Sequence, residues 1–244
     1  MRNVVVTGGS RGLGLGIARR LTAVGYRAIA IARKETSQLK QAIDDAERVR
    51  PGSFQFVPFD LAEIADIPQL VKSLRNDFGA IYGLVNNAAL GSSGALALMP
   101  TSQFEQLVRL NTLSPIVLTK YLVRSMMADG GGRIVNVASI IGFTGYKGLS
   151  VYGATKASMI GFTRSLAREV GRMGVNVNAV APGFVDTEMT HGLGDEQRRQ
   201  IERRSALHRL PEVDDIAHAV EFLLGDTSKS ITGTVLTVDA GNTA

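Results

Sequence analysis

The stretch "VVVTGGSRGLGLG", Val4 to Gly16, decides how the rest of the chain is read. Three valines and a threonine suit a short buried strand. Glycines then fall at 8, 12 and 14, where a helical pattern running from Leu13 to Val24 begins. Strand, glycine turn and helix in that order make a cradle for phosphate. Glycine lets the backbone approach an anion closely, and the helix N-terminus offers unpaired N–H groups and the positive end of a dipole. The spacing is G-x-x-x-G-x-G rather than G-x-G-x-x-G, yet it has the strand and helix context that such a cradle requires. Gly8, Ser10, Arg11, Gly12, Leu13 and Gly14 are therefore candidate residues for holding a dinucleotide.

The pattern repeats outward from this unit. "NVVVTG", "RAIAIAR", "FQFVPFD", "GLVNNA", "RIVNVAS", "VNVNAVAPG" and "VLTVDAG" read as seven strands, most of them apolar on successive residues. Such runs fit parallel strands covered on both faces. Amphipathic stretches lie between them, including Ile67 to Phe78 and Thr112 to Met127. Strands alternating with helices predict βαβ units and one doubly wound parallel α/β sheet of the Rossmann type. "DGGGR", Asp129 to Arg133, reads as a helix stop rather than a boundary. No linker or compositional break appears, so residues 1–244 are expected to form a single domain.

The end of the second strand bears on which dinucleotide is bound. A carboxylate there would meet the ribose hydroxyls of a cofactor without a 2′-phosphate. This chain has Ala32 followed by Arg33, with Arg11 in the glycine turn. Guanidinium groups pair with phosphate through planar double hydrogen bonds, so NADP(H) is predicted over NAD(H).

Composition closes off other classes. With no cysteine, disulfides, thiolate chemistry and cysteine-bound zinc are excluded. The three histidines, His191, His208 and His218, are not closely spaced, so no metal site is expected. The N-terminal apolar run is too short for a signal-peptide core and no run approaches a membrane span, which predicts a cytoplasmic protein. A net charge of +5 and a pI near 9.7 raise nucleic acid as a partner. Basic residues are scattered, however, and no aromatic–basic interleaving occurs, so none is predicted.

"TGGSRGLG", "NNAA" (Asn86 to Ala89), Asn111, Ser139, "YGATK" (Tyr152 to Lys156) and "PGFVDTEM" (Pro182 to Met189) occur in that order. The set resembles the short-chain dehydrogenases/reductases over essentially the whole chain. "SLAREV", "APGFVDTEMT" and "ITGTVLTVDAG" are most similar to the 3-oxoacyl-acyl-carrier-protein reductases of fatty-acid synthesis.

The chemistry can be argued beside that resemblance. Hydride addition to a ketone builds negative charge on its oxygen, so the site needs an acid and a hydrogen-bond donor there. A phenol with a pKa near 10 is a poor acid at neutrality, and a neighbouring cation is expected to lower it. Tyr152 and Lys156 are four residues apart and share one helix face. The resemblance implies that Tyr152 gives the proton and Ser139 orients the carbonyl. It further implies that Lys156 binds the nicotinamide ribose and tunes Tyr152, and that Asn111 holds a water in a proton relay. By the same resemblance, Asp60 and Leu61 would meet the adenine, and Asn87 and Ala88 the riboses. Pro182, Gly183, Val185 and Thr187 would close over the nicotinamide. Asp60 has a second reading as a helix cap.

A polar segment at about 188–210 stands where the family carries a mobile substrate lid. Within it Arg198, Arg199, Arg203 and Arg204 form either a docking surface for phosphopantetheine or an acidic carrier, or a solvated face beside Asp195, Glu196 and Glu202. His191 and His208 read as lid or surface residues. Several departures weaken the acyl-carrier assignment: Ala89 replaces the usual glycine, "LGSSGALALM" carries no charge, and "ADGGGR" lacks a basic residue near the carrier surface, leaving Arg172 as the nearest. The resemblance implies a homotetramer. A 3-oxoacyl thioester, on acyl carrier protein or CoA, is the expected substrate. A sugar, steroid or other secondary alcohol is the alternative, and a non-catalytic NADP-binding regulator the remaining one.

Overall fold

A computed structural model describes residues 1–185 and 194–244. The strands are β1 (Asn3–Thr7), β2 (Arg27–Ala32), β3 (Phe54–Pro58), β4 (Ile81–Asn86), β5 (Gly132–Val137), β6 (Val175–Pro182) and β7 (Val235–Val238). They form one seven-stranded sheet in the order β3-β2-β1-β4-β5-β6-β7, and every pairing is parallel. Each strand stretch read from the sequence lies in this sheet.

The helices are α1 (Gly12–Ala23), α2 (Ser37–Val49), α3 (Ile67–Phe78), α4 (Thr101–Val108), α5 (Ser114–Ala128), α6 (Ser150–Val170), α7 (Asp195–Arg204) and α8 (Val213–Leu224). Alternation along β1 sends Val4 and Val6 to one core with Ile17, Leu21, Ile216 and Val220 from α1 and α8. Val5 points the other way, into a core with Leu74, Leu118, Leu122 and Leu166 from α3, α5 and α6. Both faces are therefore covered, which is why the strand sequences are apolar without a break. Gly16 brings α1 close to α8, since a Cβ there would overlap Val213.

One expected helix has a different start. The pattern from Thr112 is a π-turn over Arg109–Leu113, with α5 beginning only at Ser114. Pro115 supplies the reason. It has no N–H to bond the Asn111 carbonyl four residues back, and its ring would crowd that carbonyl in a regular helix. The wider turn accommodates both problems.

Strand order reverses between β1 and β4, and the crevice outside their carboxyl ends is where an open α/β sheet takes its ligand.

Candidate active site

At the head of β1, Gly8 and Gly12 take φ of 66° and 52°, a region that disfavours side chains. A Cβ on Gly14 would overlap the Gly8 carbonyl oxygen, and one on Gly9 would come within 2.7 Å of the Ala30 side chain. The turn thus folds tightly onto the start of α1. Arg11 occupies the N-cap position in extended geometry without a side-chain cap bond, and the first turn of α1 carries no acid. Within that turn, no carboxylate competes with an anion for the leading N–H groups. Ser10 accepts a 2.6 Å hydrogen bond at its carbonyl from the Thr36 hydroxyl. Arg33 is exposed just beyond β2, beside Ala32. A glycine-lined helix start, with Arg33 at its rim and Ala32 rather than an acid at the end of β2, fits a phosphorylated dinucleotide.

Thr7, absent from the sequence reading, ties this turn to the next one. Its hydroxyl accepts from the backbone N–H groups of Asn87 and Ala88, each at 2.9 Å, and the Asn87 amide donates to the Thr7 carbonyl at 2.9 Å. A lone polar residue closing an apolar run was the available signal. Asn87 and Ala88 are thereby locked against Gly8, whose Cβ, if it had one, would sit 3.0 Å from both. Asp60 accepts from Ala62 N–H at 2.9 Å, a bond within a local turn; it caps no helix, since the next helical turn begins at Ile64 with Glu63 at its N-cap. Leu61 is buried in the core beneath it.

The second half of the site lies beyond β5 and along α6. Ser139 is buried; its hydroxyl accepts from Ile141 N–H at 3.2 Å and faces the Tyr152 phenol closely enough to favour its ionised form. Gly153 allows this approach, since a Cβ there would press within 3.1 Å of the Ile141 carbonyl. The small residues around Tyr152 therefore accommodate the chain's own Ser139 turn. Lys156 is buried on the same face, its Nζ donating to the Val137 carbonyl at 2.8 Å and standing 5.7 Å from the Tyr152 ring centre. Asn111 is buried in the π-turn. Its amide accepts from Leu90 N–H at 2.7 Å and donates to the Leu90 carbonyl at 2.9 Å and to Thr155 Oγ1 at 3.2 Å. That amide fastens the segment after β4 to α6.

The electrostatics depart from the simple expectation that Lys156 lowers the Tyr152 pKa. Burial pushes the phenol up to about 12, against which the bond to Ser139 acts, and burial brings Lys156 down to about 8. Both shifts have one cause: desolvation disfavours phenolate and ammonium alike.

Pro182 ends β6 and Gly183 N–H donates to the Val238 carbonyl at 3.0 Å. Val185 is buried, and Thr187 lies outside the described residues, as do His191 and positions 188–193 of the expected lid. The arginine face on α7 is partly neutralised, with Arg198 paired to Glu202 at 3.3 Å and Arg203 to Glu196 at 3.5 Å. His208 is exposed. Among the described residues no group of three or more acids and histidines is placed to hold a metal, and no helix is long and apolar enough to cross a membrane.

With this geometry in view, the family model for short chain dehydrogenase matches residues 2–198. The chain belongs to the short-chain dehydrogenase family. It is an oxidoreductase acting on alcohol or ketone groups. The 3-oxoacyl-[acyl-carrier-protein] reductase FabG of Escherichia coli (strain K12) is 38% identical over 237 residues, covering 97% of this chain and 95% of the relative. The 3-oxoacyl-[acyl-carrier-protein] reductase of Homo sapiens is 39% identical over 236 residues, with coverage of 97% and 95%. Among solved structures, a gluconate 5-dehydrogenase from Burkholderia cenocepacia J2315 in complex with NADP and tartrate matches with a TM-score of 0.92 at 28% identity, covering 99% of this chain and 95% of that one.

Proposed function

We propose that this dehydrogenase reduces 3-oxoacyl thioesters with NADPH. The observation that carries the chemistry is the meeting of Ser139, Tyr152 and Lys156 at the carboxyl edge of the sheet, with one strand, β4, between β5 and the strand that leads into the glycine turn. When bound, NADPH supplies the hydride. Gly8, Gly12, Gly14 and the start of α1 would hold its pyrophosphate, and Arg11 and Arg33 its 2′-phosphate. Asp60, Leu61, Asn87 and Ala88 would flank the adenosine half, and Pro182, Gly183, Val185 and Thr187 the nicotinamide.

Ser139 donates to the substrate carbonyl and turns it toward Tyr152, which delivers the proton as charge grows on that oxygen. A neutral phenol is the form that can act, and burial keeps Tyr152 protonated throughout the physiological range. Among the described residues Lys156 has one partner, the Val137 carbonyl, for its three N–H bonds, which leaves donors for the ribose. The Asn111 carbonyl holds a water through which the proton is replaced. Residues up to about 210, including α7, would cover the substrate.

The thioester assignment draws on the two reductases named above and on the rim of the site. Leu90, Leu96, Leu98, Phe143 and Tyr146 are exposed there, and a 2.9 Å bond from Gly94 N–H to the Gly148 carbonyl joins the two loops that carry them. Lys147 is the single charged residue in 90–99 and 140–149. An acyl chain suits such a rim better than a sugar acid, whose hydroxyls and carboxylate would lose water without gaining partners.

The test follows NADPH absorbance with acetoacetyl-CoA as substrate, with NADH and a keto-gluconate in parallel. Turnover confined to NADPH and the thioester is expected. Faster turnover of the keto-gluconate would replace the substrate class and keep the chemistry.

A further inference from the structure

The residues after β7 form a turn that the proposed mechanism does not use. Asp239 is buried and accepts three hydrogen bonds: from Gly241 N–H at 2.9 Å, Thr243 N–H at 2.9 Å and the Thr243 hydroxyl at 2.7 Å. Ala240 is held at φ 57°, an uncommon conformation for a residue with a side chain, and Gly241 at 78°. The turn packs in two directions. Toward β6, a Cβ on Gly183 would fall 2.8 Å from that of Asp239. Toward α7, the Ala240 and Gly241 carbonyls accept from Leu207 and Ala206 N–H at 3.1 and 3.3 Å. The Asn242 amide adds bonds to the Ile201 carbonyl at 3.4 Å and Ser205 Oγ at 3.3 Å. A side chain at 241 would collide with Ala206, so the contact needs glycine.

These bonds set where α7 can lie. Pro182 and Val238 are register partners at the carboxyl ends of parallel strands, so the turn begins at the edge of the sheet that carries the site. Among the described residues, the bonds from this turn reach α7 at its C-terminal end: the N–H groups of Ala206 and Leu207 just beyond the helix, and the Ile201 carbonyl, which also accepts from Ser205. We infer that Asn242 is a positioning residue: it clasps the end of α7 to the β7 turn and so sets substrate affinity without touching the reacting atoms. The kinetic part of this inference rests on the reductase reading above; the structural part does not.

Asn242→Leu and Asn242→Asp keep the size of the side chain and remove its donors. Hydrogen–deuterium exchange across residues 201–209 and steady-state kinetics with acetoacetyl-CoA would be measured on both variants and the parent. The clasp predicts exchange at Ser205, Ala206 and Leu207 faster by about tenfold, and KM higher by about fivefold, the scale of one or two lost hydrogen bonds. Turnover number and NADPH affinity should stay within about twofold of the parent, which distinguishes positioning from general destabilisation. Unchanged exchange overturns the clasp. Faster exchange with unchanged KM, or with KM, turnover number and NADPH affinity all impaired together, overturns the positioning role. If the parent does not reduce acetoacetyl-CoA, the thioester reading fails; the exchange result still decides the clasp, and the kinetic arm moves to the keto-gluconate or whichever ketone is turned over.

Discussion

Two sets of buried polar side chains lie along the same pair of strands, and they are treated oppositely. In the middle of the sheet, β4–β5 register sets Asn86 against Asn136, and the amides bond at 2.8 Å. Asn86 continues to Thr119 at 3.0 Å and Asn136 to Thr163 at 2.8 Å, linking β4 and β5 to α5 and α6 on the covered face. Among these four side chains, Asn86 Oδ1 alone lacks a partner. A few residues further along β5, past its carboxyl end, Lys156 is equally buried yet holds a charge on one carbonyl, and Tyr152 has Ser139 as its partner. The first set is satisfied except at Asn86 Oδ1 and rigidifies the frame. The second leaves hydrogen-bonding capacity unused and pays in desolvation, which is what a group awaiting substrate and cofactor must do.

The difference is broken most severely at Tyr152. Tyr152→Phe removes the proton donor and nothing of the frame, so turnover should fall by about a thousandfold, within the usual range for a general acid. NADPH affinity, read by fluorescence titration, should change by less than about threefold. Turnover equal to that of the parent would remove Tyr152 from the mechanism. The same cut in the satisfied set should act on stability instead. Asn136→Ala removes one partner each from the Asn86 amide, which keeps Thr119, and the Thr163 hydroxyl, which keeps the Met159 carbonyl; each lost bond costs about 0.5–1.5 kcal/mol. A melting temperature lower by roughly 5 °C is expected for a chain of this size. NADPH turnover per folded molecule should be retained; a variant as stable as the parent would mean that the chain contributes no rigidity.

How far these roles could be read from sequence depends on the range of the interactions involved. The strands were legible because coverage on both faces makes each one locally apolar, as in "VVVT" and "RAIAIA". Tyr152 and Lys156 were legible as neighbours, since four residues along a helix fixes a shared face. The sign of the Tyr152 shift was not, because it depends on how deeply α6 is packed against Ser139 and Ile141. The role of Thr7 stayed hidden for a similar reason: its partners, Asn87 and Ala88, are eighty positions away. Pro115 was visible four residues after Asn111 and could have marked the π-turn; the helical pattern of its neighbours masked it.

The cofactor side sharpens the comparison with a smaller effect. Arg33 is exposed, so its substitution disturbs neither set. Arg33→Ala should weaken NADPH binding by about tenfold, the scale of a lost hydrogen bond to a charged group, and leave NADH binding unchanged. Titrating both nucleotides against the variant checks this, and equal losses for the two would detach Arg33 from the 2′-phosphate.

The smallest effect concerns what the unsatisfied set does to stability, and it has a pH signature. Lys156 has a folded-state pKa of about 8, below the 10.5 of an ordinary lysine. Below pH 8 both the folded and unfolded chains hold the proton, and the folded chain bears the full penalty of a buried ammonium. Between pH 8 and 10.5 the folded chain has lost the proton while the unfolded chain keeps it, so parent stability gains as pH rises. Lys156→Met removes this dependence, and replacing a buried charge by an apolar side chain of similar length is often neutral or stabilising. The melting temperature of Lys156→Met relative to the parent should therefore be highest at pH 7 and decline by a few degrees, roughly the effect of 1–2 kcal/mol, by pH 10. Tyr152 is present in both proteins, so its own loss of stabilisation above pH 10 largely cancels in the difference. A gap that stays flat across this range would mean that Lys156 is well solvated in the folded chain, and the contrast between the two polar sets would reduce to one of position.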